Sequence, residues 1–178
     1  MFNFVSLINI QMKKFFQFSG TINGTSYLLR MLFTIILSIP ALIMIFAFFG
    51  VFAVEYAEID MQNPETFDQA AFEKKIEENP DEFFESLTQS ITPFWIISIV
   101  SLLLPVIWFS LAQYYKRVSA LFYENRLNVF AGLIVFELIA DIAAFKYDNW
   151  IGTIFMVGSL LIFFFMVLKD SGIEEHEG

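Results

Sequence analysis

The chain contains no cysteine. Disulfides, thiolate zinc sites and a cysteine nucleophile are therefore excluded, and the redox compartment is left open. Charge is scarce too: Asp, Glu, Lys and Arg make up 16% of the 178 residues, against about 25% in soluble domains. Proline occurs five times and histidine once. No G-x-S-x-G, Walker loop, H-E-x-x-H or dinucleotide fingerprint is present. Without a nucleophile and its base, or a phosphate cradle, an enzyme is not expected. No Lys/Arg stripe with interleaved aromatics exists outside the apolar runs, which argues against nucleic-acid binding. No cofactor is called for.

Apolar side chains are what the sequence has in excess. Hydrophobic residues make up 57%, Phe alone accounts for 24 positions, and the mean hydropathy is +0.65. A disordered, collagen-like or coiled-coil chain is excluded on composition. So small a body cannot hide that much apolar surface inside itself. The chain reads as one integral membrane domain, residues 1–178, with membrane lipids as its surroundings.

Residues 1–18 place Met1, Val5, Ile8, Met12 and Phe15 at helical spacing, with Asn3, Ser6, Asn9, Lys13 and Gln17 opposite. This predicts an amphipathic helix in the interface plane, its lysines toward headgroups, with packing on the bundle as the alternative. It is not a signal peptide, because Lys13 and Lys14 follow the apolar stretch instead of preceding it. Gly20–Ser26 is a turn, in which Thr25 or Ser26 can cap the next helix. Four apolar spans follow, at 27–54, 93–111, 129–145 and 150–168; about 20 residues cross a bilayer core. Pro40 is a kink position in the first. Trp95 and Tyr114/Tyr115 read as interface aromatics of the second. Residues 113–128 read as a basic linker, and Lys146–Asn149 as the tight turn of an antiparallel hairpin.

The acids are concentrated in residues 55–92. Between Glu55 and Glu85 stand eleven carboxylates and two lysines, Lys74 and Lys75, a difference of nine that equals the whole net charge of −9. Asn63-Pro64 and Asn79-Pro80 predict two short helices, with Asn as N-cap and Pro first in the helix. Phe84, Leu87 and Ile91 share one face of the second, to be laid on the membrane or the bundle. The hairpin is read as a solvated extramembrane loop, with cation or partner binding as the alternative. Lys13, Lys14, Arg30, Lys116, Arg117, Arg126 and Lys169 fall on one side of a four-span topology and Lys74, Lys75 and Lys146 on the other. Seven against three puts both termini, with the 169–178 tail, in the cytoplasm.

Two stretches carry a family resemblance. FFQFSGTINGTSYLLRMLF (15–33) resembles the aromatic-rich opening of domain-of-unknown-function family 805, the YhaH-like bacterial inner-membrane proteins, through Phe18, Gly20, Ile22 and Tyr27. WFSLAQYYKRVSALFYENR (108–126) resembles that family's A-Q-x-x-K-R linker through Ala112, Gln113, Lys116 and Arg117. Thr21 and Gly24 stand where the family has arginines, and Ser119-Ala120 where it has His-Asp. The resemblance implies an inner-membrane topology and no particular activity.

Glu137 and Asp141 form the candidate intramembrane polar site. They are four residues apart, hence on one helix face. Glu137 falls near the middle of its span, where an ionised carboxylate costs at least ~2.5 kcal/mol. Either it is a proton or cation site, or it is a neutral carboxyl hydrogen-bonded to a neighbouring helix. Lys13, Lys14, Lys116, Arg117 and Arg126 are candidate lipid-headgroup contacts. Gly152, Gly158 and Ser159 offer small surfaces for close helix packing. His176, flanked by Glu174, Glu175 and Glu177, does not make a metal site: consecutive tail residues cannot converge on one ion. The tail reads as solvated. The expectation is a non-catalytic accessory or assembly subunit of a larger membrane complex, with a protein partner or further copies of itself. The alternative is a small oligomeric transporter or ion-conducting protein using the intramembrane carboxylates.

Overall fold

The structure is a computed structural model describing residues 14–59, 68–146 and 150–178. The region of the expected interfacial helix up to Lys13, the Asn63-Pro64 helix start and the turn at 147–149 lie outside these residues. The described chain is helical, with no strand among the described residues: α1 Gly24–Tyr56, α2 Gln69–Glu78, α3 Pro80–Ser90, α4 Pro93–Leu121, a 3₁₀ turn Tyr123–Asn125, α5 Arg126–Lys146 and α6 Trp150–Leu168. Four helices are long and apolar enough to cross a membrane. The chain is an all-α, multi-pass membrane protein.

The first span starts earlier than the hydropathy suggests. Asn23, not Thr25 or Ser26, is its cap: the Ser26 amide donates to Asn23 Oδ1 at 2.7 Å, satisfying an N-terminal N–H that has no helical partner. The second span differs more. The predicted linker at 113–128 is helical as far as Leu121, so α4 carries its Lys-Arg pair inside a 29-residue helix. Pro40 and Pro105 sit within α1 and α4, and each helix continues past its proline.

The chain divides into two compact units, 1–36 with 106–178, and 37–105. In the second unit α2 and α3 break at Asn79 as the Asn-Pro signal predicts, with Pro80 opening α3. The Asn79 side chain makes no cap, however. On α3 the expected Phe84/Leu87/Ile91 face is not packed on the bundle throughout: Leu87 is half-buried and Ile91 exposed. Phe84 is 63% exposed, while the Phe83 ring packs on Phe52 and Tyr56 at 5.4 and 5.3 Å between centroids. Lys75 spans the Tyr56 ring, its Nζ 4.4 Å from the centroid. Trp95 packs edge-on against Phe48.

In the first unit the core is Ile22, Tyr27, Val118 and Met166. α5 and α6 pack together, with Phe136 and Phe155 rings 5.8 Å apart. Gly158 lets α6 approach Phe136: a Cβ there would meet the ring at 3.0 Å. Gly152 is buried as well.

Candidate functional site

The buried face of α4 explains why its charges are tolerated. Phe109, Ala112, Gln113, Lys116, Arg117 and Ala120 are all buried, and their spacing of three and four is that of one helix stripe. Three of the six are polar, and each polar head reaches a backbone carbonyl at a helix end. Residues 14–16 are helical and stop at Phe16, leaving carbonyls with no helical donor. Lys116 Nζ donates to the Lys14 carbonyl, Gln113 Nε2 to that of Phe15, and Trp108 Nε1 to that of Phe16 at 2.8 Å. Arg30 Nη1 donates to Gln113 Oε1 at 2.7 Å and so fixes the amide's orientation.

Arg117 serves the end of α6 in the same way. Its Nε donates to the Met166 carbonyl at 2.5 Å, Nη1 to that of Ile22 at 3.1 Å, and Nη2 to that of Lys169. A guanidinium suits this place because its donors fan out in a plane and its charge opposes the negative end of the helix dipole. One side chain thus caps α6 and ties the loop before α1 to it. Gly24 permits the close approach: a Cβ on it would lie 1.8 Å from the Val167 carbonyl oxygen.

The tail keeps the solvated character expected of it, with Gly172, Glu174, Glu175 and Glu177 exposed, and is also held at His176 and Gly178. His176 Nδ1 lies 3.1 Å from Thr21 Oγ1, the Gly178 amide donates to the Thr21 carbonyl at 3.0 Å, and Arg30 Nη2 donates to the Gly178 carbonyl at 3.0 Å. Desolvation and, after it, the nearby Arg117 charge hold His176 below the usual histidine range, against a weaker opposing pull from Asp170.

Of the expected headgroup contacts, Lys116 and Arg117 are therefore corrected. At 0% and 1% exposure they cannot face lipid, and their charges are consumed on carbonyls. Lys14 is exposed. Arg126 is half-buried, its guanidinium 4.8 Å from the Tyr123 ring centroid. Lys13 lies outside the described residues.

Glu137 and Asp141 stand one turn apart on α5. Asp141 is exposed and does not line the cavity into which Glu137 faces. That cavity holds about 600 Å³ and takes wall residues from all four spanning helices, among them Tyr27 and Met31 of α1, Tyr114 of α4, Glu137 of α5, and Met156 and Ser159 of α6. Tyr114 is thus turned toward the other helices. Its hydroxyl is buried without a hydrogen-bond partner, and its ring stacks on that of Tyr27 at 6.4 Å. Both phenols lie within electrostatic reach of Glu137. Among the described residues, no group of three His, Asp or Glu side chains is arranged to hold a metal ion.

Sequence reasoning missed the helix-end clamps, the contacts of the tail with Thr21 and the tyrosines of the cavity. One signal was available: positions 109, 112, 113, 116, 117 and 120 repeat at helical spacing across the supposed linker. Searches against family models, curated proteins and solved structures return no match to this chain.

Proposed function

We propose that this is a non-catalytic accessory or assembly subunit of a larger membrane complex, acting through contacts made within the bilayer with a protein partner or further copies of itself. The observation that supports this most is how little of each span the chain covers. In the most apolar stretch of the four spans only 11–17% of residues are buried within the chain. The remainder presents large apolar side chains, Phe46, Ile97, Ile142 and Leu161 among them, which suit lipid or another helix bundle equally. Gln113, Lys116 and Arg117, buried in α4, are meanwhile engaged in holding helix ends. The membrane in this proposal is the bacterial inner membrane, with both termini cytoplasmic and the acidic 55–92 hairpin outside, on the Lys/Arg asymmetry. The chain is further proposed as a divergent member of domain-of-unknown-function family 805. Six of the eight positions shared with that family, Ile22, Tyr27, Ala112, Gln113, Lys116 and Arg117, are buried.

The Glu137 cavity favours a second reading, a small transporter or ion-conducting oligomer. Reconstitution separates the two. Purified protein in liposomes should pass neither protons nor monovalent cations above the protein-free rate. Flux that disappears in Glu137→Gln would replace the accessory role by the second reading.

A further inference from the structure

The cavity combines groups that neither a packing defect nor a purely apolar lipid slot requires. Its wall carries one carboxyl group, Glu137, and no basic residue. Among the described residues Glu137 makes neither a hydrogen bond nor an ion pair. The Tyr114 hydroxyl is buried and unpartnered. Buried polar groups are ordinarily satisfied, and an orphaned one calls for a missing partner. One such group, the Tyr114 hydroxyl, stands in this cavity beside the half-buried Glu137 carboxyl group, and the two together call for a ligand that is polar at one point. The sign of the charge follows from Glu137: a carboxylate in an apolar surround attracts a cation and repels an anion.

The rest of the wall sets the ligand's body. Tyr27 and Tyr114, whose rings stack on each other at 6.4 Å, add aromatic surface to the wall. Met31 and Met156 bring flexible thioethers that adapt to irregular apolar shapes. A volume of about 600 Å³ is in the range of small-molecule sites, ~300–1,000 Å³. An inorganic ion would leave most of this apolar space unfilled and would find too few oxygen ligands to replace its water. We propose that the cavity binds a lipophilic organic monocation, an apolar body carrying one ammonium-type charge, with that charge at Glu137. The inference concerns occupancy alone and holds whether or not the protein moves its ligand, so it does not depend on either functional proposal.

The test is equilibrium binding to the purified full chain in non-ionic detergent, with radiolabelled tetraphenylphosphonium as probe and triphenylphosphine oxide as its uncharged competitor. Saturable binding near one probe per chain is expected, with the neutral compound competing at least tenfold more weakly. Glu137→Gln should weaken binding at least tenfold, and Ser159→Phe, which fills the cavity and leaves the carboxylate in place, should abolish it. Absence of saturable binding overturns the proposal. So does equal competition by the neutral compound, which would make the cavity a general apolar slot. Unchanged binding in a variant that elutes and folds as the unmodified protein has the same consequence. Should neither variant fold, the charged-against-neutral comparison on the unmodified chain decides the matter alone.

Discussion

Replacing Arg117 by Leu removes three charge-assisted hydrogen bonds at once, those to the carbonyls of Ile22, Met166 and Lys169. Bonds to a charged group each contribute about 1.5–3 kcal/mol. Taking the low end for all three gives a loss of roughly 4–5 kcal/mol, before any relaxation that lets water reach the freed carbonyls. Leucine fills much of the space, so the loss falls on hydrogen bonding and not on packing. At this chain length each kcal/mol moves the melting temperature by about 2–4 °C, so Arg117→Leu should melt at least ~8 °C lower. Arg117→Lys should fall between the two: an ammonium keeps the charge but cannot reach three carbonyls lying in different directions. The assay is detergent-phase thermal unfolding followed by the fraction that elutes as a single species on size exclusion. Limited proteolysis of the 169–178 tail serves as a second readout, since Arg117 holds the Lys169 carbonyl from which the tail departs. A Leu variant melting within about 2 °C of the unmodified protein, or a Lys variant as stable as Arg, would refute the clamp.

Three further outcomes are expected. Gly24→Ala would place a methyl 1.8 Å from the Val167 carbonyl oxygen, and should destabilise by about 1–3 kcal/mol or more in the same melt, whereas Gly132→Ala, where the added Cβ meets nothing within 4 Å, should not. Because burial depresses His176, the docked tail binds fewer protons than the free one; its stabilisation is full above the ordinary histidine value of about 6.5 and is lost as pH falls through the lower docked value. The protection factors of amides 171–178, that is exchange corrected for its intrinsic pH dependence, should therefore fall on acidification in the unmodified protein and lose that dependence in His176→Gln. Cysteines introduced at Glu73 and Ser171 should react with an impermeant maleimide from opposite sides of intact cells, and equal labelling of both would sink the proposed topology.

The four spans were legible in the sequence because apolar length is a strong local signal, and the break at Asn79 was legible because Asn-Pro starts helices with few alternatives. What hid the rest was the assumption that a charge marks water or headgroups. Lys116 and Arg117 look like a membrane-surface linker until the carbonyls of Lys14, Ile22 and Met166 are brought to them from elsewhere in the chain, and nothing in residues 113–128 alone announces that. The tail is solvated as read, but the contacts of His176 and Gly178 with Thr21, which hold it to the loop before α1, were not legible in it. Phe83, which packs on Phe52 and Tyr56, was not singled out, because an adjacent pair of rings on a short helix leaves open which of them meets the neighbouring helix. Glu137 was found from depth alone, but its tyrosine neighbours depended on how four helices meet.

Mass measurement of the protein released from its own membrane in intact lipid particles tests the accessory role most directly. A defined assembly is expected, one that contains this chain at fixed stoichiometry with a second membrane protein or with further copies of itself and that survives dilution of the lipid. A single chain carrying only lipid, at every lipid-to-protein ratio, would contradict it.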